Sequence, residues 1–104
     1  YPAIIPPIGS CAALGISKAQ AAISRDLAQQ LALATKRAAD DSGAELVDIA
    51  NASVGHDVCS NVPWVNGVSV QTGTAFHPNA VGAAATADAV VKAYSMRATN
   101  GPAS

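Results

Sequence analysis

The two histidines of this chain are the side chains best suited to acid–base chemistry, because imidazole changes its charge near neutral pH. His56 lies between Gly55 and Asp57, and His77 directly precedes Pro78 and Asn79. For an arbitrary loop histidine, a surface or structural role is more common than catalysis. His77, however, lies where a loop meets the predicted start of a helix, and the helix dipole there favours the neutral imidazole. A neutral imidazole can accept the proton of a serine hydroxyl.

A catalytic histidine also needs a group that orients its second ring nitrogen. In a Ser-His-Asp triad this group is a carboxylate. The acids nearest to His77 in the sequence are Asp57 and Asp88, and neither lies in the residues just before it. A main-chain carbonyl can orient the ring in the same way.

The two cysteines, Cys11 and Cys59, are separated by 48 positions and lack the spacing of metal ligands. Two lone cysteines are often buried thiols of an intracellular protein. The alternative is a disulfide that closes a long loop, which is typical of secreted proteins. Both cysteines have loop-like surroundings, where a free thiol would be exposed, and we therefore predict the disulfide.

Composition predicts a globular protein with a thin core. The chain has 104 residues, of which 50% are hydrophobic and 12% are charged, and this excludes a disordered chain. However, 24 of the 52 hydrophobic residues are alanines, so few large apolar side chains remain. The net charge of −1, without a basic cluster, argues against nucleic acid as a partner. No apolar run is long enough to span a bilayer.

The elements that must position these residues follow from local signals. Residues 1–5 and 44–49 are strand candidates, with a helix between them that begins after Ser17 and ends at Gly43. The segment 50–76 has no helical period and is predicted to be a long functional loop. A second helix follows Asn79 and ends near residue 100, and residues 100–104 are expected to fray.

Each predicted helix carries small or apolar residues at intervals of three and four, which we expect to form a buried face. In the first helix they are Ile23, Leu27, Leu31, Ala34 and Ala38, and in the second they are Ala80, Ala84, Ala87, Val91 and Tyr94. The order strand, helix, strand, loop, helix predicts an α/β fold with a parallel sheet. Two short strands cannot form a sheet covered on both faces, so about half of such a domain is expected to lie outside this chain.

Three short motifs resemble the C-terminal half of secreted actinobacterial SGNH hydrolases, the GDSL-type lipases and esterases. These motifs are Gly55-His56-Asp57-Val58-Cys59-Ser60, Pro63-Trp64-Val65-Asn66-Gly67, and Phe76-His77-Pro78-Asn79 followed by Gly82. The opening Tyr1-Pro2 also resembles the end of a strand in that family. The resemblance implies that residues 1–104 are the C-terminal segment of one SGNH domain. Its fold would be a flavodoxin-like three-layer α/β/α arrangement with a parallel sheet, completed by an N-terminal segment outside the chain.

The resemblance also implies roles for individual residues. His77 matches the catalytic histidine, and Cys11 and Cys59 match a disulfide of the secreted members. The family usually has an aspartate three residues before the histidine, whereas this chain has Thr74. This difference resembles the members that use a Ser-His dyad, in which a backbone carbonyl, here of Thr74 or Ala75, orients the ring. Other matching positions are expected to have structural or pocket-wall roles; these are His56, Asp57, Trp64 and Asn66.

The function that the resemblance implies is hydrolysis of carboxylic esters, with no metal and no cofactor. His77 would be the general base, and the nucleophilic serine and the oxyanion hole would come from the N-terminal segment, so this chain alone is expected to be inactive. The location would be extracellular or in the cell envelope, and the partners would be an ester or lipid substrate and that N-terminal segment. The alternative is a non-enzymatic secreted α/β module, closed by the disulfide, that binds a partner through its long loop.

Overall fold

The computed structural model describes residues 1–70 and 72–99, without the side chains of residues 98 and 99. Three helices follow one another along the chain: α1 (Lys18–Ser42), α2 (Ile49–Ala52) and α3 (Ala80–Thr99). The described residues form no sheet, and their β-type pairing is a single antiparallel bridge between Val65 and Pro78. The predicted fraying of residues 100–104 lies outside the described residues.

The prediction of a parallel α/β sheet is therefore wrong for this chain. The first strand candidate, residues 1–5, is an irregular segment whose backbone bonds to loops: the N–H of Ala3 donates to Oγ of Ser53 over 2.7 Å, and the carbonyl of Ile4 accepts from the N–H of Val58 over 3.2 Å. Pro2 and Pro6 lack the N–H groups that a strand needs. A strand exists only where a second strand runs beside it, and the described residues provide none.

The second strand candidate, residues 44–49, is also wrong. Residues 44–48 are irregular, and Ile49 begins the short helix α2. The side chain of Asp48 accepts from the N–H of Asn51 over 3.0 Å, and this cap starts the helix. The β propensity of the apolar residues therefore did not determine the structure here, and the Asp48 cap places Ile49 at the start of a helix.

Helix α1 has the termini that the sequence predicts. Oγ of Ser17 accepts from the N–H of Gln20 over 3.1 Å, and the Gln20 side chain accepts from the N–H of Ser17 over 3.0 Å. This capping box begins the helix. Gly43 ends it with a φ of 72°, a left-handed conformation that glycine adopts without a steric penalty.

The apolar faces of the long helices are exposed in this chain, contrary to the expectation that they are buried. Ile23, Leu27 and Leu31 are 64%, 59% and 64% exposed, and Val91 and Tyr94 of α3 are also exposed. No two of the helices pack extensively against each other within the described residues. The alanines of the predicted faces are exposed as well; they are Ala34, Ala38, Ala80, Ala84 and Ala87.

The core is small and lies among loops rather than between helices. Its buried cluster consists of Leu14, Ala21, Val58 and Val65, and Phe76 packs against it. Helix α1 contributes only Ala21 to this core. The helix is also held by Arg25, whose guanidinium donates to the carbonyls of Pro6 and Gly9 over 2.7 and 3.0 Å. No helix in the described part of the chain has the length and apolar character needed to cross a bilayer.

Candidate active site

His77 lies in an ordered turn at the entrance to α3, with its side chain exposed. Its Nδ1 is 2.9 Å from the carbonyl oxygen of Ala75, and its backbone N–H donates to the carbonyl of Thr74 over 3.2 Å. Because a carbonyl oxygen only accepts, the bond to Ala75 requires a proton on Nδ1 and leaves Nε2 of the neutral ring as an acceptor. Of the two carbonyls considered from the sequence, that of Ala75 therefore contacts the ring and that of Thr74 contacts the backbone.

The turn is attached to the core through the segment 64–66. The N–H of Asn66 donates to the carbonyl of His77 over 2.9 Å, and the N–H of Phe76 donates to the carbonyl of Asn66 over 3.0 Å. Val65, at the centre of this segment, is buried and forms the bridge to Pro78. The backbone of His77 is thus bonded to Asn66, the residue that follows the buried Val65.

Asn79 connects the same segment to the start of α3. Its Oδ1 accepts from the N–H of Gly82 over 2.9 Å, which is the cap predicted from the sequence, and its Nδ2 donates to the carbonyl of Pro63 over 2.7 Å. The N–H of Asn79 donates to the carbonyl of Trp64 over 2.9 Å. Asn79 therefore also holds residues 63 and 64 through hydrogen bonds. The sequence does not predict these bonds, because they are tertiary contacts.

Gly82 allows α3 to approach this segment closely. A Cβ atom at position 82 would overlap the carbonyl oxygen of Trp64, and Gly82 is buried. The overlap is with backbone, so rotation of a side chain cannot relieve it. A glycine near a helix start is weak evidence for a close contact when only the sequence is known. Here the close approach of two backbones requires glycine at position 82.

We expect Gly82→Ala to destabilise the chain by about 1–3 kcal/mol, the usual cost of forcing extra atoms into a packed site. At an open helical position the same change would stabilise by up to about 1 kcal/mol. Urea unfolding followed by circular dichroism measures the change in the free energy of unfolding. The control is Ala84→Gly at an exposed position of α3, which measures helix propensity alone. Stabilisation by Gly82→Ala would show that the approach to Trp64 is not tight.

His56 and Trp64 form a second feature beside this segment. Their rings are stacked, with centroids 4.3 Å apart and planes inclined by 9°. Nδ1 of His56 is 2.8 Å from the carbonyl oxygen of Val62, and the backbone N–H of Trp64 donates to the carbonyl of His56 over 2.8 Å. The stack and these bonds close the turn 56–64.

Asp57 is buried, and its carboxylate accepts from the N–H of Cys59 over 2.9 Å. The hydrogen bonds of His77 within the described residues are all to backbone groups, so neither Asp57 nor Asp88 contacts its ring. The structure therefore brings together His77, Ala75, Thr74 and Asn66, and places His56 with Trp64 and Asp57 with Cys59.

The predicted disulfide is present between Cys11 and Cys59, with a Cα–Cα distance of 5.9 Å. Both cysteines pack against the core cluster. The bond connects the loop before α1 to the turn 56–64, and that turn continues into the segment that holds His77. Within the described residues, no three of the His, Cys, Asp and Glu side chains form a group suited to a metal ion.

Comparison with known proteins gives one informative similarity. The chain is 37% identical over 83 residues to a protein named "Lipase" from Streptomyces rimosus. The match covers 79% of this chain and 30% of that protein, so the chain spans less than a third of the relative's length. A continuous stretch of that size necessarily includes residues 23–82 and therefore the segment from Cys59 to His77. No protein-family model and no solved structure matches the chain.

Proposed function

We propose that this chain is the part of a secreted SGNH-type carboxylic-ester hydrolase that carries the general base, His77. The observation that supports this proposal is the bond between Nδ1 of His77 and the Ala75 carbonyl, on an exposed ring. It orients the imidazole with Nε2 available for a hydroxyl proton. The similarity to a protein named lipase agrees with ester hydrolysis, and the Cys11–Cys59 disulfide agrees with an extracellular or cell-envelope location.

The proposed reaction uses a serine from a segment outside these 104 residues. Its hydroxyl oxygen attacks the ester carbonyl while Nε2 of His77 accepts the hydroxyl proton. The imidazolium then protonates the leaving alcohol as the carbon–oxygen bond breaks, which leaves an acyl-serine. Water attacks the acyl-serine with His77 again as base, and the products are the carboxylic acid and the free serine. The substrate is a carboxylic ester with a lipid-like or short acyl chain.

The exposed faces of the helices support the second part of the proposal, that another segment of the enzyme packs on this chain. The stripe formed by Ile23, Leu27 and Leu31 follows α1 for two turns, and Val91 and Tyr94 extend along α3. Large apolar patches on a soluble surface mark interaction sites. The segment that bears the serine and the oxyanion hole is the partner we propose for these faces. We therefore expect the isolated 104-residue chain to be inactive.

A chimera tests the proposal directly. The segment of the Streptomyces rimosus lipase that matches this chain is replaced with the corresponding residues of this chain, and hydrolysis of p-nitrophenyl esters is measured. We expect the chimera to hydrolyse the esters and to be labelled by a serine-directed fluorophosphonate, whereas the 104-residue chain does neither. A chimera that melts cooperatively but cleaves no ester and takes no label would contradict the proposal. In that case the non-enzymatic binding module is the better description.

A further inference from the structure

The residue before His77 has an unfavourable backbone conformation. Phe76 has a φ of 60°, and it is the one non-glycine residue with a positive φ among residues 1–70 and 72–99. The left-handed region is uncommon for non-glycine residues because it costs free energy, and it persists only where the surroundings impose it. Because Phe76 lies between Ala75 and His77, its conformation decides where the Ala75 carbonyl lies relative to the imidazole.

Asn66 holds the residues around this strained position. Its Nδ2 donates to the carbonyl of Thr74 over 3.1 Å. Its own carbonyl accepts from the N–H of Phe76 over 3.0 Å, and its N–H donates to the carbonyl of His77 over 2.9 Å. Asn66 therefore bonds to three of the four residues 74–77, and the fourth, Ala75, supplies the carbonyl that contacts His77.

Two neighbouring features fit this arrangement. A Cβ atom at Gly73 would lie 3.1 Å from Nδ2 of Asn66, and Gly73 has a φ of 84°, so position 73 leaves room for the amide. The phenyl ring of Phe76 packs against the core, and its carbonyl accepts from the hydroxyl of Tyr1 over 3.2 Å. The turn is thus held on one side by Asn66 and on the other by Tyr1 and the core.

We propose that Asn66 is a positioning residue for His77: its side-chain amide keeps the turn 74–77 in the conformation that places the Ala75 carbonyl on Nδ1. Asn66 acts on the ring through the backbone and does not contact the reacting atoms. The catalytic consequence rests on the proposed function. The effect of Asn66 on which ring nitrogen of His77 carries the proton does not depend on the proposed function.

The first test measures the His77 ring in the full 104-residue chain with its disulfide intact. Nitrogen-15 NMR at a pH where the ring is neutral distinguishes a proton on Nδ1 from one on Nε2. We expect the Nδ1–H form to predominate in the wild type and the Nε2–H form to increase in Asn66→Ala. The matched control is Asn61→Ala, since Asn61 is exposed and its side chain forms no hydrogen bond within the described residues. An unchanged His77 spectrum in a folded Asn66→Ala variant would overturn the proposal.

A second variant disturbs the Asn66 amide without replacing Asn66. Gly73→Ala leaves Asn66 in place but crowds its Nδ2 and strains the left-handed backbone at position 73. Position 73 is exposed, so this variant is expected to keep the core intact. It should shift the His77 spectrum in the same direction as Asn66→Ala. A shift in neither variant would show that the turn holds His77 without the amide.

The kinetic test uses the chimera with the Streptomyces rimosus lipase. We expect Asn66→Ala to lower kcat about tenfold, the loss typical of one strong hydrogen bond. KM should be unchanged, because the Asn66 amide is bonded to the Thr74 carbonyl and acts on His77 through the backbone. An unchanged kcat, or a loss confined to KM, would overturn the positioning role. An inactive chimera together with an altered His77 spectrum in Asn66→Ala would instead refute the proposed function and leave the positioning role supported.

Discussion

Replacing His77 with alanine is expected to lower the kcat of ester hydrolysis by roughly 10²- to 10⁴-fold, the usual contribution of a general base. The loss would be larger if serine and histidine act as one unit, because their effects are then not additive. The physical reason is that a serine hydroxyl is a weak nucleophile until a neighbouring base accepts its proton. The measurement is the rate of p-nitrophenyl ester hydrolysis by the chimera, with and without the substitution.

Two further variants make this test specific to the base. His77→Gln keeps a polar side chain of similar size but has no nitrogen that accepts a proton at neutral pH, so it should lose as much activity as His77→Ala. His56→Ala removes a histidine of the neighbouring turn, whose ring stacks on Trp64. It should lower the melting temperature and change kcat by less than tenfold. Equal losses of kcat in the variants of both histidines would argue against His77 as the base.

The helix termini could be predicted from the sequence because their causes are local. The capping box of Ser17 and Gln20 and the left-handed Gly43 involve residues that are neighbours in the chain. The cap at Asn79 is equally local. A few residues suffice to satisfy the free N–H and C=O groups of a helix end, so the pattern alone is informative.

The strands could not be predicted in the same way, because a strand depends on its neighbour. Residues 1–5 and 44–49 have apolar runs typical of strands, but in this chain their backbone groups bond to Ser53, to Val58 or within a local turn. The apolar stripe of α1 lies on one face of the helix, but the prediction that this chain buries it was wrong. The sequence of the stripe does not show which other residues would pack on it.

The candidate site also combines local features that the sequence predicts with tertiary contacts that it does not. The position of His77 at a helix start followed from the sequence, whereas a backbone carbonyl of Thr74 or Ala75 as its partner was implied only by the family resemblance. The left-handed Phe76 did not follow from the sequence, because an aromatic residue has no intrinsic preference for that conformation. Hydrogen bonds from Asn66, ten positions earlier, and packing on the core impose it. Short-range patterns therefore located His77 at the helix start, but they did not predict the tertiary contacts that hold the turn before it.

Removal of the Cys11–Cys59 disulfide is expected to cause the largest loss of stability of any change to this chain. The bond joins residues 48 positions apart, and closing a loop of that length stabilises the folded state by about 4 kcal/mol in the chain-entropy model. Native proteins are stable by roughly 5–15 kcal/mol, so this is a large fraction of such a total. Because only four of the described residues form the buried core cluster, few other contacts among them could compensate.

Urea unfolding measures this loss as a lower midpoint in the Cys11→Ala/Cys59→Ala double variant. The control is the wild type in a phosphine reductant, which should reach nearly the same midpoint, whereas the double variant should not respond to the reductant. The turn 56–64 runs from the disulfide to the segment that holds His77, so the NMR signal of the His77 ring should change together with the midpoint. An unchanged midpoint would show that the loops pack correctly without the bond. A lower midpoint with an unchanged His77 signal would show that Val65 and Asn66 hold the turn independently of the disulfide.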